Sequence, residues 1–294
     1  MYSTRLCEHL YRPTLKLLNR LFTALLKQLD AQVLAFSGWY AMTRRLSLVW
    51  PYYRSIGVHK CAVGEARFVS EYLPKILVGV EKPLCIDVGA NVGRYTAMLR
   101  HALPQAKVIA LEPAAKPFAA LKHRHEGDEM VLPLQMGVSS RSETLQLFSP
   151  LDEKRSGHAS VLPEVLTELH QYKDIEEQTI NLTTLDALAA EQDILKIDFL
   201  KIDIEGYELE ALKGAQSLLE QKKIGVIQIE FNEMNVISRV FLKDYYDLLG
   251  KAYTFYRIRR DHGLLPLGSY WAGNEVFHFQ NLVLLPSQEN VNNF

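Results

Sequence analysis

Five acidic residues, Asp87, Glu112, Asp203, Glu205 and Glu230, stand at or near the ends of short apolar, β-branched runs. If those runs are parallel strands, all five acids sit at strand carboxyl ends, where open α/β sheets bind ligands near the switch in strand order. Strand alternation would place Lys201, Asp203 and Glu205 on one face and Leu200, Ile202 and Ile204 on the other. Carboxylates grouped in this way can balance a cationic ligand. They can also take the proton of a hydroxyl nucleophile, general-base work worth typically about 10²–10⁴-fold. Glu205 and Asp203 are the candidates for that base, with Glu230 third. Lys201 lies deeper in its strand and needs a carboxylate partner if buried. A core ion pair with Asp203 is the plainer reading of both residues.

The first run leads into Asp87-Val88-Gly89-Ala90-Asn91-Val92-Gly93-Arg94-Tyr95. Gly89 and Gly93 permit a tight strand-to-helix turn and close approach of backbone to a ligand. A dinucleotide fingerprint, G-x-G-x-x-G, seats a pyrophosphate over a helix N-terminus. Here the pattern is D-x-G-x-N-x-G, without the third glycine, and Asp87 would repel a pyrophosphate while suiting an ammonium. S-adenosylmethionine, with an ammonium, a sulfonium and no phosphate, fits this loop better than a nicotinamide dinucleotide. Glu112, about 23 residues beyond Gly89, can accept both hydroxyls of an adenosine ribose; a helix-terminal carboxylate facing Lys116 is its bland alternative. Val138 and Ser139 follow the third run, where they can lie against an adenine ring and bond its edge. Tyr95 can cover the methionine end, or simply pack in the core. Asn91 completes the loop.

Around these residues the runs alternate with helical periods. Runs at 84–88, 108–111, 131–136, 199–204 and 226–231 are interleaved with helical stretches at 93–101, 116–123, 208–219 and 238–249. That alternation predicts a parallel sheet with helices on both faces. Two final strands, 253–259 and 276–285, read as antiparallel. Residues 149–178 are polar and weakly periodic and read as an insertion. His158 and Ser160 within it are candidate acceptor-binding residues. His123 and His125 flank Arg124 at a helix end and read as solvated. Asp198, Asp203 and Glu230 offer oxygens that suit Mg²⁺, but their spacing does not demand a metal and none is assigned.

The glycine loop, Glu112-Pro113, Thr183-Thr184-Leu185-Asp186, and the element running from Asp198 through Lys201-Ile202-Asp203-Ile204-Glu205-Gly206 to Glu208 together resemble the FkbM-type S-adenosylmethionine-dependent methyltransferases. The resemblance covers about residues 62–285, and the K-I-D-x-E-G-x-E element is its most specific part. It implies a class I, Rossmann-like fold, with a seven-stranded, mostly parallel sheet and an antiparallel last strand. It also implies S-adenosylmethionine as cofactor, and usually O-methylation of a hydroxyl on a glycan, polyketide or other natural product. N-methylation, a non-catalytic cofactor-binding partner subunit and a nicotinamide oxidoreductase are the competing readings. The last fails on G-x-N-x-G.

Residues 1–61 lie outside the resemblance and read as a separate basic helical extension before a domain at 62–294. In residues 1–60 nine Lys/Arg face only Glu8 and Asp30, about +7, so the near-neutral total of −1 hides an acidic body. Leu15, Leu18, Phe22, Leu25, Leu29 and Val33 recur at helical spacing. This amphipathic helix can pack against the acidic body, which is the favoured expectation, mediate a homodimer, or rest on an anionic membrane surface. The longest uncharged front-end stretch, 31–43, is about 13 residues against the roughly 20 that a spanning helix needs. Neutral charge argues against nucleic acid as a partner. Three cysteines without paired spacing fit a reducing, cytoplasmic setting.

Overall fold

The computed structural model describes residues 63–259 and 263–287. The extension at 1–61, its helix, Cys7 and Cys61 lie outside the described residues.

The described chain begins with α1 (Val63–Arg67), a π-helical turn (Phe68–Tyr72) and α2 (Leu73–Ile76). Then β1 (Leu84–Val88), α3 (Arg94–Ala102), β2 (Lys107–Leu111), α4 (Ala115–Arg124) and β3 (Val131–Leu134) alternate as the sequence predicts. A short β4 (Gly137–Val138), β5 (Glu143–Pro150) and β6 (Ile175–Thr183) follow, then α5 (Leu185–Glu191) and β7 (Ile197–Ile202). The chain continues through α6 (Glu208–Lys213), α7 (Gln216–Glu220), β8 (Ile224–Phe231), α8 (Met234–Ser238) and α9 (Leu242–Leu249). It ends in β9 (Tyr253–Arg259), β10 (Gly263–Pro266) and β11 (Gln280–Pro286).

The main sheet has the order β10-β9-β11-β8-β7-β1-β2-β3. Strands β3, β2, β1, β7 and β8 pair in parallel, and β11 inserts antiparallel between β8 and β9. This is the expected seven-stranded arrangement with its antiparallel last strand, plus β10, which adds a hairpin to β9 at the edge. Chain order reverses between β1 and β7, so the crevice at their carboxyl ends is the ligand-binding position of a doubly wound sheet.

Alternation along the strands feeds two cores. Ile86, Val88, Leu200, Ile202, Ile227 and Ile229 point to one face, under α5, α6, α7 and α9. Cys85, Val108, Phe199, Val226 and Val283 point to the other, where Phe68, Leu73 and Leu99 cover them. Two helices start where a polar side chain takes up a free amide. Thr184 accepts from the Ala187 amide at α5, and Asp244 from the Phe241 amide at α9 (2.7 Å).

Two expectations need correction. The stretch 149–178 is not wholly an insertion, because its ends belong to β5 and β6. These strands pair antiparallel and join β4 in a second sheet. Leu147, Ile180 and Leu182 form an apolar cluster there, and Val165 and Leu166 are fully buried beyond it. The signal was the alternation in Thr144-Leu145-Gln146-Leu147 and Thr179-Ile180-Asn181-Leu182. The helix expected over 208–219 breaks at Gly214, whose missing Cβ would lie 2.1 Å from the Ser139 carbonyl oxygen.

At the switch point β1 and β7 converge on Gly89. Its φ is +79°, and a Cβ there would lie 1.9 Å from the Asp203 carbonyl oxygen. Gly89→Ala is therefore expected to destabilise by about 2–4 kcal/mol, from left-handed strain and overpacking together. Urea unfolding of the variant beside the native chain measures this, and a shift below about 0.5 kcal/mol, the range of ordinary surface changes, would contradict the close approach.

Candidate active site

A cleft with about 690 Å³ of space, open to solvent, lies at the carboxyl ends of β1, β2 and β7 and is walled on one side by the small sheet. Gly89, Asn91, Glu112, Val138, Asp203 and Glu205 all line it. Leu147, Ile180 and Leu182 add an apolar wall that the sequence reading missed by treating their neighbourhood as insertion.

Glu112 is buried, and its two carboxylate oxygens accept the amides of Asn91 and Ala114, each at 2.8 Å. Each oxygen keeps a lone pair for a further donor. Burial raises its pKa to about 7 against the opposing pull of those amides. Asn91 sits at φ +48°, which turns its amide to Glu112, and its side chain accepts from Ser156 (3.0 Å). The glycine loop, the second strand and the start of the insertion are thus tied together.

Several expected contacts go elsewhere. Asp87 is fully buried beneath the loop rather than in the cleft. There it accepts from Thr96 (2.7 Å) and faces the Lys201 ammonium (3.7 Å). Tyr95 is a core aromatic that stacks on Phe199 and donates to Gln228 (2.6 Å). Gly93 does not line the cleft. It is a packing glycine at φ +78°, where a Cβ would meet Leu121 and His125, and its carbonyl lies 3.1 Å from the His125 ring. His125, read as solvated, instead packs against the loop, while His123 is exposed and faces Glu126. Ser139 is fully buried and donates to Glu143 (2.8 Å), leaving Val138 alone at the cleft.

The polar stretch behaves similarly. Ser160, read as an acceptor contact, is buried and donates to the Glu205 carbonyl (2.9 Å), so it supports the rim from behind. The His158 ring does not line the cleft either. It stacks on His170 (4.2 Å) and shares a 2.6 Å hydrogen bond with the Tyr172 hydroxyl, while its neighbours Gly157 and Ala159 face the cleft.

The rim acids converge as expected, though by another route. Strand β7 stops at Ile202, and Glu205 reaches the group through a left-handed turn (φ +57°) followed by Gly206 (φ +100°). Glu208 holds that turn by accepting the amides of Ile204 (3.0 Å) and Gly206 (3.1 Å). Oxygens of Asp203, Glu205 and Glu230 lie within 4.8 Å of one another. Asp198 is not among them. At the opposite end of β7 it accepts the Leu84 amide (2.9 Å) and pairs with Lys196.

Lys201 donates to Asp203 (3.0 Å). Burial opposes its charge, but Asp203, Asp87 and Glu65 outweigh that and hold its pKa above the ordinary value. Asp203 is kept ionised below its ordinary range, as Lys201 and a bond from Glu230 overcome its burial. Glu205 and Glu230 are pushed well up, by burial first and then by Asp203. Glu65, which no sequence signal singled out, is another, half-buried acid. It accepts from Gln228 (2.8 Å), and burial raises its pKa to about 7.

The strand order and the rim cleft define a class I methyltransferase fold. The sequence profile described as "Methyltransferase FkbM domain" matches residues 87–255, more than half of the chain, and the chain belongs to this family. It is 30% identical over 158 residues to "Methyltransferase sdnD" of Sordaria araneosa, covering 45% of this chain and 60% of that one. It is 28% identical over 144 residues to "Hexuronic acid methyltransferase AglP" of Haloferax volcanii, covering 49% of this chain and 54% of that one. The chain thus spans a little over half the length of these curated relatives. Among solved structures, the N-terminal domain of human METTL16 aligns over 74% of this chain and 67% of its own, at 14% identity and a TM-score of 0.40. That distance adds nothing to the fold read from the topology.

Because folding raises the Glu112 pKa from 4.5 to about 7, the folded state binds the extra proton in that interval. Its stabilising contribution is complete below pH 4.5 and lost as pH rises through about 7, amounting to at most about 3 kcal/mol. Urea midpoints at pH 5 and pH 8 check this. Glu112→Gln, which cannot titrate, should lose less stability between the two than the native chain, and equal losses would contradict the assignment.

Proposed function

We propose that this chain is an S-adenosylmethionine-dependent methyltransferase acting on a hydroxyl of a glycan, polyketide or similar natural product. The observation that carries this reading is the meeting, in one cleft, of the Gly89 turn, Glu112 and the ionisable rim of Asp203 and Glu205. The cleft residues fit the cofactor. Glu112 retains acceptor capacity for ribose hydroxyls, Val138, Leu147, Ile180 and Leu182 offer an apolar slot for a purine, and the Gly89 backbone allows close approach. Bound there, S-adenosylmethionine would supply an electrophilic methyl group on a sulfonium.

The protein's share of such a displacement is alignment and proton removal. Glu205 suits the second task. Its pKa is lifted by burial and by Asp203, so once ionised it is a stronger base than a solvated carboxylate. Glu230 has the same character, while Asp203, fixed by Lys201, keeps a negative charge at the rim. The name of AglP supports a sugar acid as one acceptor to try. Methylation of an amine is the second reading, favoured by three carboxyl groups gathered at the rim, which can accept hydrogen bonds from an ammonium.

A methyl-transfer screen over glycans, hexuronic acids, polyketides and amines, with calorimetric titration of S-adenosylmethionine, tests this. Glu205→Gln and Asp203→Asn are each expected to retain cofactor binding and to lower turnover by at least about 100-fold. Undiminished turnover in both would remove the base assignment. Binding of a nicotinamide dinucleotide without S-adenosylmethionine would remove the function.

A further inference from the structure

We infer that the carboxylates of Asp203, Glu205 and Glu230 form a site for a hard divalent cation of the Mg²⁺, Mn²⁺ or Ca²⁺ class at the acceptor side of the cleft.

Two independent observations carry this. The first is geometric. One oxygen from each residue lies within 4.8 Å of the other two, and this is the sole such grouping of three among the described residues. Oxygens bound to these cations at about 2.0–2.6 Å stand no more than about 4–5 Å apart, so the three can share one ion with little movement. An all-carboxylate set selects hard cations over zinc or copper. The second is a missing partner. Glu205 is only 8% exposed and turns its carboxylate into the group, yet its Oε2 is buried with no hydrogen-bond donor among the described residues. A buried carboxyl oxygen left without a donor is unfavourable, and a ligand in the group would relieve it. Among the described residues Lys201 is the single ammonium paired with these carboxylates, and it is already shared between Asp203 and Asp87. Three carboxyl groups share part of one lysine, so the group offers more oxygen ligands than the cation already beside it can use.

The site's place fits a role with the acceptor. Asp203 and Glu205 line the cleft, so an ion on their oxygens is open to a substrate oxygen from that side. A cation there would orient an acceptor hydroxyl and lower its pKa, dividing the work of proton removal between metal and carboxylate. This role rests on the methyltransferase reading above; the binding site itself does not.

The test is titration of Mn²⁺ into the full-length protein without cofactor, followed by loss of the free-ion electron paramagnetic resonance signal. One equivalent should bind with a dissociation constant below about 1 mM, the weak end of oxygen-ligand sites. Mg²⁺ should displace it. Glu205→Gln and Glu230→Gln should each weaken binding by at least about tenfold, and Glu205→Asp, which keeps a carboxylate, should fall between. No stoichiometric Mn²⁺ binding, or affinities unchanged in every folded variant, overturns the proposal. Calorimetry with S-adenosylmethionine on the same samples separates the two ideas. Cofactor binding without Mn²⁺ binding removes the cation site and keeps the methyltransferase reading, and the converse result removes only the latter.

Discussion

A buried ammonium holds the switch point together. The Lys201 side chain is 5% exposed, and it bridges Asp203 at 3.0 Å and Asp87 at 3.7 Å with the Tyr95 ring 4.7 Å from its nitrogen. In register, Asp87 of β1 stands beside Lys201 of β7, which stands beside Gln228 of β8. The central strands are therefore crossed by a polar row just below the rim, and Tyr95, Glu65 and Asn281 complete it through Gln228. Removing one partner of a buried pair typically costs about 3–5 kcal/mol, because the other charge is left without compensation. Here the penalty would fall on the strands that carry the rim. The row sets where Asp203 sits, and Asp203 in turn raises the pKa of Glu205 and Glu230.

The motif around Lys201 divides between support and chemistry. Lys201 and Glu208 do not line the cleft. One neutralises the acids beneath it, and the other gathers the amides of Ile204 and Gly206 to hold a turn that Glu205 enters at positive φ. Asp203 and Glu205 face the cleft. The same division runs through the glycine loop, where Gly89 and Asn91 meet the cleft while Gly93, Asp87 and Tyr95 pack behind it.

This division explains what was legible in the sequence. The strands, their order and the acids at their ends follow from apolar runs of fixed length, and periodicity reports those directly. Which face of a loop a residue presents is set by single left-handed residues such as Asn91 and Glu205, and periodicity carries no trace of them. Strand alternation was thus the wrong reason for grouping Glu205 with Asp203, although the two do meet. Ser139 and Ser160 were read as ligand contacts because of their position in the chain, but each hydroxyl is spent on a neighbour within the protein. The small sheet was missed because its two alternating strands are polar on one side and far apart in sequence.

The stretch between β5 and β6 is fastened at two serines. Ser156 bonds the Asn91 side chain, and Ser160 bonds the Glu205 carbonyl as well as pairing through its backbone with Phe148. Beyond Ser160 the chain packs Val165 and Leu166 against Met234 of α8 and Phe148 of β5 before it re-enters β6. The loop is therefore strapped down at three points, two serine clips at the rim and an apolar anchor on α8.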